Sequence, residues 1–176
     1  MAALKYWIWL SDAAVSARAK AEIMRRYGDA EQAFFAPTGA FAAMESIRRE
    51  DAETLERRDL DRAERVIEAC ARQGLEIITF DDRAYPARLK NIFAPPPVLY
   101  VRGTLPRVDD NAVIAVVGTR RATDYGVRMA RGIAGEIVRC GGIVASGLTA
   151  GIDAAGAIGA LGAGGTCIGV LGTAHE

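Results

Sequence analysis

Residues 112–121 read AVIAVVGTRR, and residues 142–153 read GIVASGLTAGID. In each, an apolar run gives way to glycine and small polar residues, the pattern of a strand of a parallel sheet passing into a tight turn. The run Ala112–Val117 is continuous, which predicts a strand buried on both faces. Thr123 then stands as the N-cap of a helix reaching Cys140. Met129, Ile133 and Ile137 fall on one face of it, with Arg128, Arg131 and Arg139 elsewhere. Gly142–Ala145 reads as the second strand, Gly151–Leu161 as the second helix and Thr166–Leu171 as the third strand. The order is βαβαβ, half of a doubly wound parallel sheet, and the fold class is α/β.

Fifteen of the 19 glycines lie from Gly118 onward, in three main groups. Gly118-Thr119-Arg120-Arg121 follows the first strand, and Ser146-Gly147-Leu148-Thr149-Ala150-Gly151-Ile152-Asp153 follows the second. Both groups sit at the carboxyl ends of parallel strands, where open α/β sheets place ligands. Glycine lets a backbone approach a phosphate closely, and a following helix supplies free N–H donors. Arg120 adds a planar guanidinium suited to phosphate oxygens. The plainer alternative is a pair of ordinary βα turns. Gly162-Ala163-Gly164-Gly165 lies at the opposite end of its strand and reads as a turn only.

Several chemistries lose support. After Val117 the chain reads G-T-R-R-A-T rather than G-x-G-x-x-G, so no dinucleotide fingerprint is present. No phosphate-loop lysine exists either, because the chain has no lysine from Asn111 onward. Asp153 could orient a ribose, coordinate a cation, or simply favour the helix macrodipole. The single histidine, His175, is next to last, so no nucleophile–base pair can be assembled and classical covalent hydrolysis is not expected. Cys70, Cys140 and Cys167 are far apart and form no C-x-x-C pair, so neither a metal cage nor a disulfide framework is expected, nor any cofactor. A reducing, cytoplasmic setting fits them.

Lys+Arg and Asp+Glu both number 22 in 176 residues, which excludes a histone-like polycation and leaves room for a local basic patch. Tyr6–Leu10 is too short for a signal-peptide core. The uncharged stretch 154–175 contains seven glycines and few large aliphatic residues, which argues against a membrane span.

The first seventy-odd residues have a different character. Ser16–Tyr27, Asp29–Phe35 and Thr38–Met44 read as short helices punctuated by Gly28 and Pro37. From Glu45 to Glu68, 15 of 24 residues are charged. Glu53/Arg57 and Asp61/Arg65 lie at i,i+4 spacing, and Leu60, Ala63, Val66, Ile67 and Cys70 form a stripe, predicting a solvated amphipathic helix that ends before Gly74. Leu75–Phe80 and Val98–Val101 are β-rich, and Pro95-Pro96-Pro97 between them reads as a stiff spacer. Three segments are therefore expected: a helical module over 1–74, a proline-rich connector with short strands over 75–110, and the half-sheet over 111–176.

Tyr85-Pro86, Pro96-Pro97-Val98-Leu99-Tyr100-Val101-Arg102-Gly103, Val116-Val117-Gly118-Thr119-Arg120 and Tyr125-Gly126 resemble the DNA-processing protein A (DprA/Smf) family in order and spacing. So do Ser146-Gly147-Leu148, Gly151-Ile152-Asp153, Gly159-Ala160-Leu161 and Gly164-Gly165. The resemblance covers about residues 75–172 and implies a Rossmann-like domain, here incomplete, behind a SAM-like helical module. It implies a non-catalytic protein that binds single-stranded DNA and helps load the RecA recombinase in natural transformation. Gly118, Thr119 and Arg120 match the family's phosphate-facing motif, and the expected DNA-phosphate set is Gly118, Thr119, Arg120, Arg121, Ser146, Gly147, Gly151 and Asp153.

The sequence departs from the family at Ala157, where a histidine is usual, and at Ala150 and Ile158, where polar or basic residues are common. The family also continues past the third strand, so a fragment or truncated relative is expected, either marginal alone or associating through its exposed sheet edge. The runner-up is a phosphoribohydrolase-like enzyme holding a nucleoside monophosphate at the glycine loops, with Asp153 or Asp124 as its acid. A third reading is a partner-binding module without affinity for nucleic acid.

Overall fold

The computed structural model describes residues 3–172; His175 lies outside them. The chain divides into two compact units, Met1–Thr104 and Leu105–Glu176.

The first unit opens with α1 (Leu4–Asp12), and the apolar run Tyr6–Leu10 forms its centre. All five residues are buried, which makes α1 apolar on every side and encloses it among its neighbours. The neighbours are α2 (Ala17–Tyr27), α3 (Ala30–Phe34), α4 (Arg49–Leu55) and α5 (Asp61–Gln73). Trp7, Ile8, Leu10, Ile23, Phe41 and Leu55 are the bulk of the core. Trp9 meets Phe34 edge-on at 5.1 Å. Ser16 caps α2 by accepting the Ala19 N–H at 3.2 Å, and Asp29 caps α3 through the Glu31 N–H at 3.0 Å.

Two helical expectations are corrected. Thr38–Met44 forms a series of turns, because Gly39 adopts φ +83° and interrupts the helical path. The charged stretch is two helices rather than one. Between α4 and α5, Arg58 takes φ +48° and donates to the Ala36 carbonyl at 2.6 Å and to Glu56 at 3.1 Å. Asp59 accepts the Asp61 N–H at 2.9 Å and starts the second helix. Glu53 pairs with Arg49 rather than Arg57. The stripe on α5 does pack inward: Ala63 and Cys70 are buried, with Leu60, Val66 and Ile67 against the same core.

The strands expected in a connector belong to this first unit. β1 (Leu75–Thr79) and β2 (Val98–Arg102) pair antiparallel, Ile77 opposite Tyr100. A short helix, α6 (Ala87–Lys90), lies between them in sequence. Val98 joins the helical core, with Ile77 and Phe80 packed against it. The buried Tyr85 hydroxyl donates to the Pro96 carbonyl at 2.9 Å and so anchors the proline run.

The second unit holds β3 (Val113–Ala115), α7 (Asp124–Arg139), β4 (Ile143–Ser146), α8 (Ile152–Gly162) and β5 (Cys167–Gly169). The strands are parallel in the order β3-β4-β5, with Ile114 beside Val144 and Ala145 beside Ile168. This is the expected α/β half-sheet behind a helical module. Thr123 caps α7 as its sequence predicts, accepting the Gly126 N–H at 3.2 Å. The helices α7 and α8 approach at backbone distance: a Cβ on Gly159 would lie 2.4 Å from the Arg131 carbonyl oxygen. The core is correspondingly small, built on Ala134, Val144 and Ala160.

The prediction that Ala112–Val117 is buried on both faces is corrected. Among the described residues β3 pairs with β4 alone; Ile114 is 45% exposed, and Val117, two residues beyond the strand, 64%. The large residues on α7 also face outward. Met129 and Ile133 line an open apolar groove of about 580 Å³ with Ala112, Ile114 and Ile137, while α7 buries Ala130, Ala134 and Gly135. Among the described residues, no helix is long and apolar enough to cross a membrane, and no group of three or more potential metal ligands exists.

Candidate functional site

The two glycine-rich turns lie side by side at the carboxyl ends of β3 and β4, because these strands are adjacent and parallel. One residue joins them. Asp153, at the start of α8, is buried, and its Oδ1 accepts the Gly118 N–H of the first turn at 2.9 Å. Its Oδ2 accepts from the Thr149 hydroxyl of the second turn at 3.0 Å, and the amides of Gly147 and Thr149 also donate to the carboxylate. The Gly118 amide above all, with these other donors, holds the Asp153 carboxyl below its ordinary value, against the opposing effect of desolvation. A carboxylate accepting several amides is strongly held in its charged form.

The remaining bonds tighten the same joint. The Ser146 hydroxyl, buried, donates to the Asp153 carbonyl at 3.2 Å and accepts the Leu148 N–H at 3.4 Å. The Ile152 N–H donates to the Thr119 carbonyl at 3.2 Å. Gly151 makes that approach feasible. It sits at φ +86°, and a Cβ there would fall 2.2 Å from the Thr119 oxygen. A side chain at 151 would force the turns apart.

The eight residues singled out by sequence thus divide into two sets. Gly118, Ser146, Gly147, Gly151 and Asp153 face one another across the joint. Thr119, Arg120 and Arg121 are exposed on its outer side. The Thr119 hydroxyl accepts the Arg121 N–H at 3.2 Å, a local bond that closes a tight turn there. Among the described residues, neither guanidinium takes part in an ion pair. Asp153 is the only carboxylate in the two turns and is occupied by protein donors; the nearest other acid in sequence is the exposed Asp124 at the start of α7.

Of the positions that depart from the family pattern, Ala157 is buried in α8, and Ala150 and Ile158 are exposed. Two residues were not singled out by sequence. Thr149 had a readable signal, a hydroxyl four residues before Asp153 at the head of a helix. Leu148 had none: it adopts φ +55°, a conformation that a leucine side chain does not announce.

A parallel βαβαβ sheet with glycine turns at the carboxyl ends of its strands defines an α/β protein of Rossmann-like architecture. The profile of the DNA recombination-mediator protein A family matches residues 76–176, and the chain belongs to that family. It is similar to DNA processing protein DprA of Bacillus subtilis, 36% identical over 107 residues, covering 61% of this chain and 36% of that protein. It is 43% identical to Protein Smf of Synechocystis over 101 residues, covering 56% of this chain and 25% of that one. The X-ray structure of DNA processing protein A (DprA) from Streptococcus pneumoniae superposes with a TM-score of 0.76 at 25% identity, covering 96% of this chain and 58% of that one. The chain therefore spans between about a quarter and just over a third of the length of these curated relatives.

Proposed function

We propose that this chain binds single-stranded DNA through its sugar–phosphate backbone and serves as a non-catalytic recombination mediator that helps load the RecA recombinase on strands taken up in natural transformation. One observation carries the reading: in a member of the recombination-mediator family, the Asp153 joint presents Thr119, Arg120 and Arg121 together on the ligand edge of the sheet. Arginine and backbone amides contact phosphate without reading sequence, which suits a protein that must accept any incoming strand. Gly118, Ser146, Gly147, Gly151 and Asp153 serve this surface by fixing its shape. Self-association through the open β3 edge belongs to the same reading; a monomeric, sharply cooperative melt would remove it.

The phosphoribohydrolase-like alternative needs a free acid. Asp153 is buried and engaged by protein donors, which disfavours it for proton transfer, so that alternative falls to the exposed Asp124 at the start of α7. Release of free base from a nucleoside monophosphate would restore that alternative.

The test is fluorescence anisotropy of a labelled oligo-dT across a salt series, with a duplex competitor. Affinity is expected to fall with salt, and Arg120→Ala to weaken binding and lower the magnitude of the salt slope by about 0.7 for one lost phosphate contact. An unchanged melting curve would separate this from misfolding. Binding that ignores both salt and Arg120 would refute the reading.

A further inference from the structure

Two non-glycine residues among those described have positive φ, Arg58 and Leu148. Arg58 is accounted for by its bonds to Ala36 and Glu56. Leu148 is not accounted for in this way. Its side chain makes no polar bond, stands 46% exposed on the ligand edge, and occupies a backbone conformation that glycine or asparagine would adopt more readily.

The surroundings nevertheless hold it firmly. The Leu148 N–H is bonded to Ser146, its neighbours Gly147 and Thr149 are bonded to Asp153, and the Val170 N–H donates to the Ser146 carbonyl at 2.8 Å. The side chain lies over the last residue of β5: a Cβ on Gly169 would fall 2.3 Å from Leu148 Cδ1. The absence of a side chain at 169 is what gives Leu148 its place.

Val117 follows β3 and is 64% exposed, and Val170 follows β5 and is 65% exposed. Each of the three adjacent strand ends therefore carries an exposed aliphatic residue, and the same edge carries the exposed Arg120 and Arg121. A ligand complementary to both features is anionic and also has apolar surface. A nucleic-acid strand with unpaired bases has both; its sugar–phosphate chain alone has only the first.

We propose that Leu148 is a base-contacting residue, at the centre of an aliphatic shelf against which unpaired nucleobases lie while the arginines hold the phosphates. The inference rests on the single-strand reading above and adds that this edge senses bases as well as charge. A loop residue held in a sparsely populated backbone conformation is a pattern found at ligand sites.

The experiment compares labelled oligo-dT with an abasic deoxyribose-phosphate oligomer of equal length, using the full chain, Leu148→Gly, Leu148→Asn and Arg120→Ala. The native chain is expected to prefer oligo-dT by about tenfold, the discrimination that burying roughly 50 Å² of apolar surface gives. Both Leu148 variants should lose most of that preference while keeping abasic affinity, salt slope and melting temperature, since glycine and asparagine tolerate the backbone. Arg120→Ala should weaken both ligands alike. Equal affinity of the native chain for the two oligomers, or Leu148 variants that weaken both equally or neither, overturns the proposal and leaves the phosphate reading standing. Binding to neither oligomer overturns the phosphate reading itself, and the base contact with it.

Discussion

The two units of this chain use side-chain bulk in opposite ways. In the first, the large residues are inside: Trp7, Ile8, Leu10, Ile23, Phe41 and Leu55 are each less than 2% exposed. In the second, the core rests on Ala134, Val144 and Ala160, and Ile114, Val117, Met129, Ile133, Leu148 and Val170 face solvent. Apolar burial stabilises by roughly 25 cal/mol per Å², so a core of alanines and glycines yields little per residue. What it provides instead is close backbone approach, which brings two turns into hydrogen-bonding distance.

That contrast can be broken most directly in the first unit. Trp7→Ala removes a fully enclosed indole near the Phe80 ring and is expected to cost about 3–5 kcal/mol, as large-to-small core changes do. Chemical denaturation followed by the fluorescence of Trp9 reads this cleanly, because both tryptophans of the chain lie in the first unit. A loss below about 1 kcal/mol would mean that this core is not the principal store of stability.

A smaller stability effect with a larger functional one is expected at the joint. Gly151→Ala meets both a positive-φ backbone, φ +86° with ψ −126°, that glycine alone adopts readily, and the Thr119 carbonyl. The conformational part alone costs about 1–3 kcal/mol. Affinity for oligo-dT should fall along with it, because the turn bearing Arg120 must shift. Retained affinity would show that the two turns bind independently.

The smallest effect is a pH dependence. The folded state depresses the Asp153 carboxyl below its ordinary 3.8, so its stabilisation is present at neutral pH and is lost as pH falls through the depressed value. Asp153→Asn should therefore melt below the native chain at pH 7, and the gap should close on acidification below about 4. A gap that is independent of pH would assign the effect to packing rather than to charge.

Much of this was legible in sequence, for identifiable reasons. Helix starts are local chemistry: Thr123 caps α7 where its neighbours predict, and Ser16 and Asp29, read as the first residues of helical segments, cap the helices that follow them. The alternation of apolar runs with glycine turns was enough for a parallel sheet and for which turns share its ligand edge. Less legible were features set by what stands alongside a segment. The run Ala112–Val117 looks like a strand covered on both faces, but hydrophobicity alone does not reveal that, among the described residues, β3 pairs with β4 alone. The charge run from Glu45 looks like one helix, and the break at Arg58 depends on a carbonyl 22 residues away.

At the site, composition determined the participants: glycines where backbones must come close, arginines where phosphate is to be met, and one acid among them. Tertiary structure alone decided their roles. A carboxylate beside a glycine turn can face a ligand or the protein, and only the adjacency of β3 and β4 turns Asp153 toward Gly118, Gly147 and Thr149. The same packing leaves Arg120 outside and fixes Leu148 in a conformation that its own side chain disfavours. Residue type sets which interactions are available, and the free energy of burying and pairing groups distant in sequence selects among them.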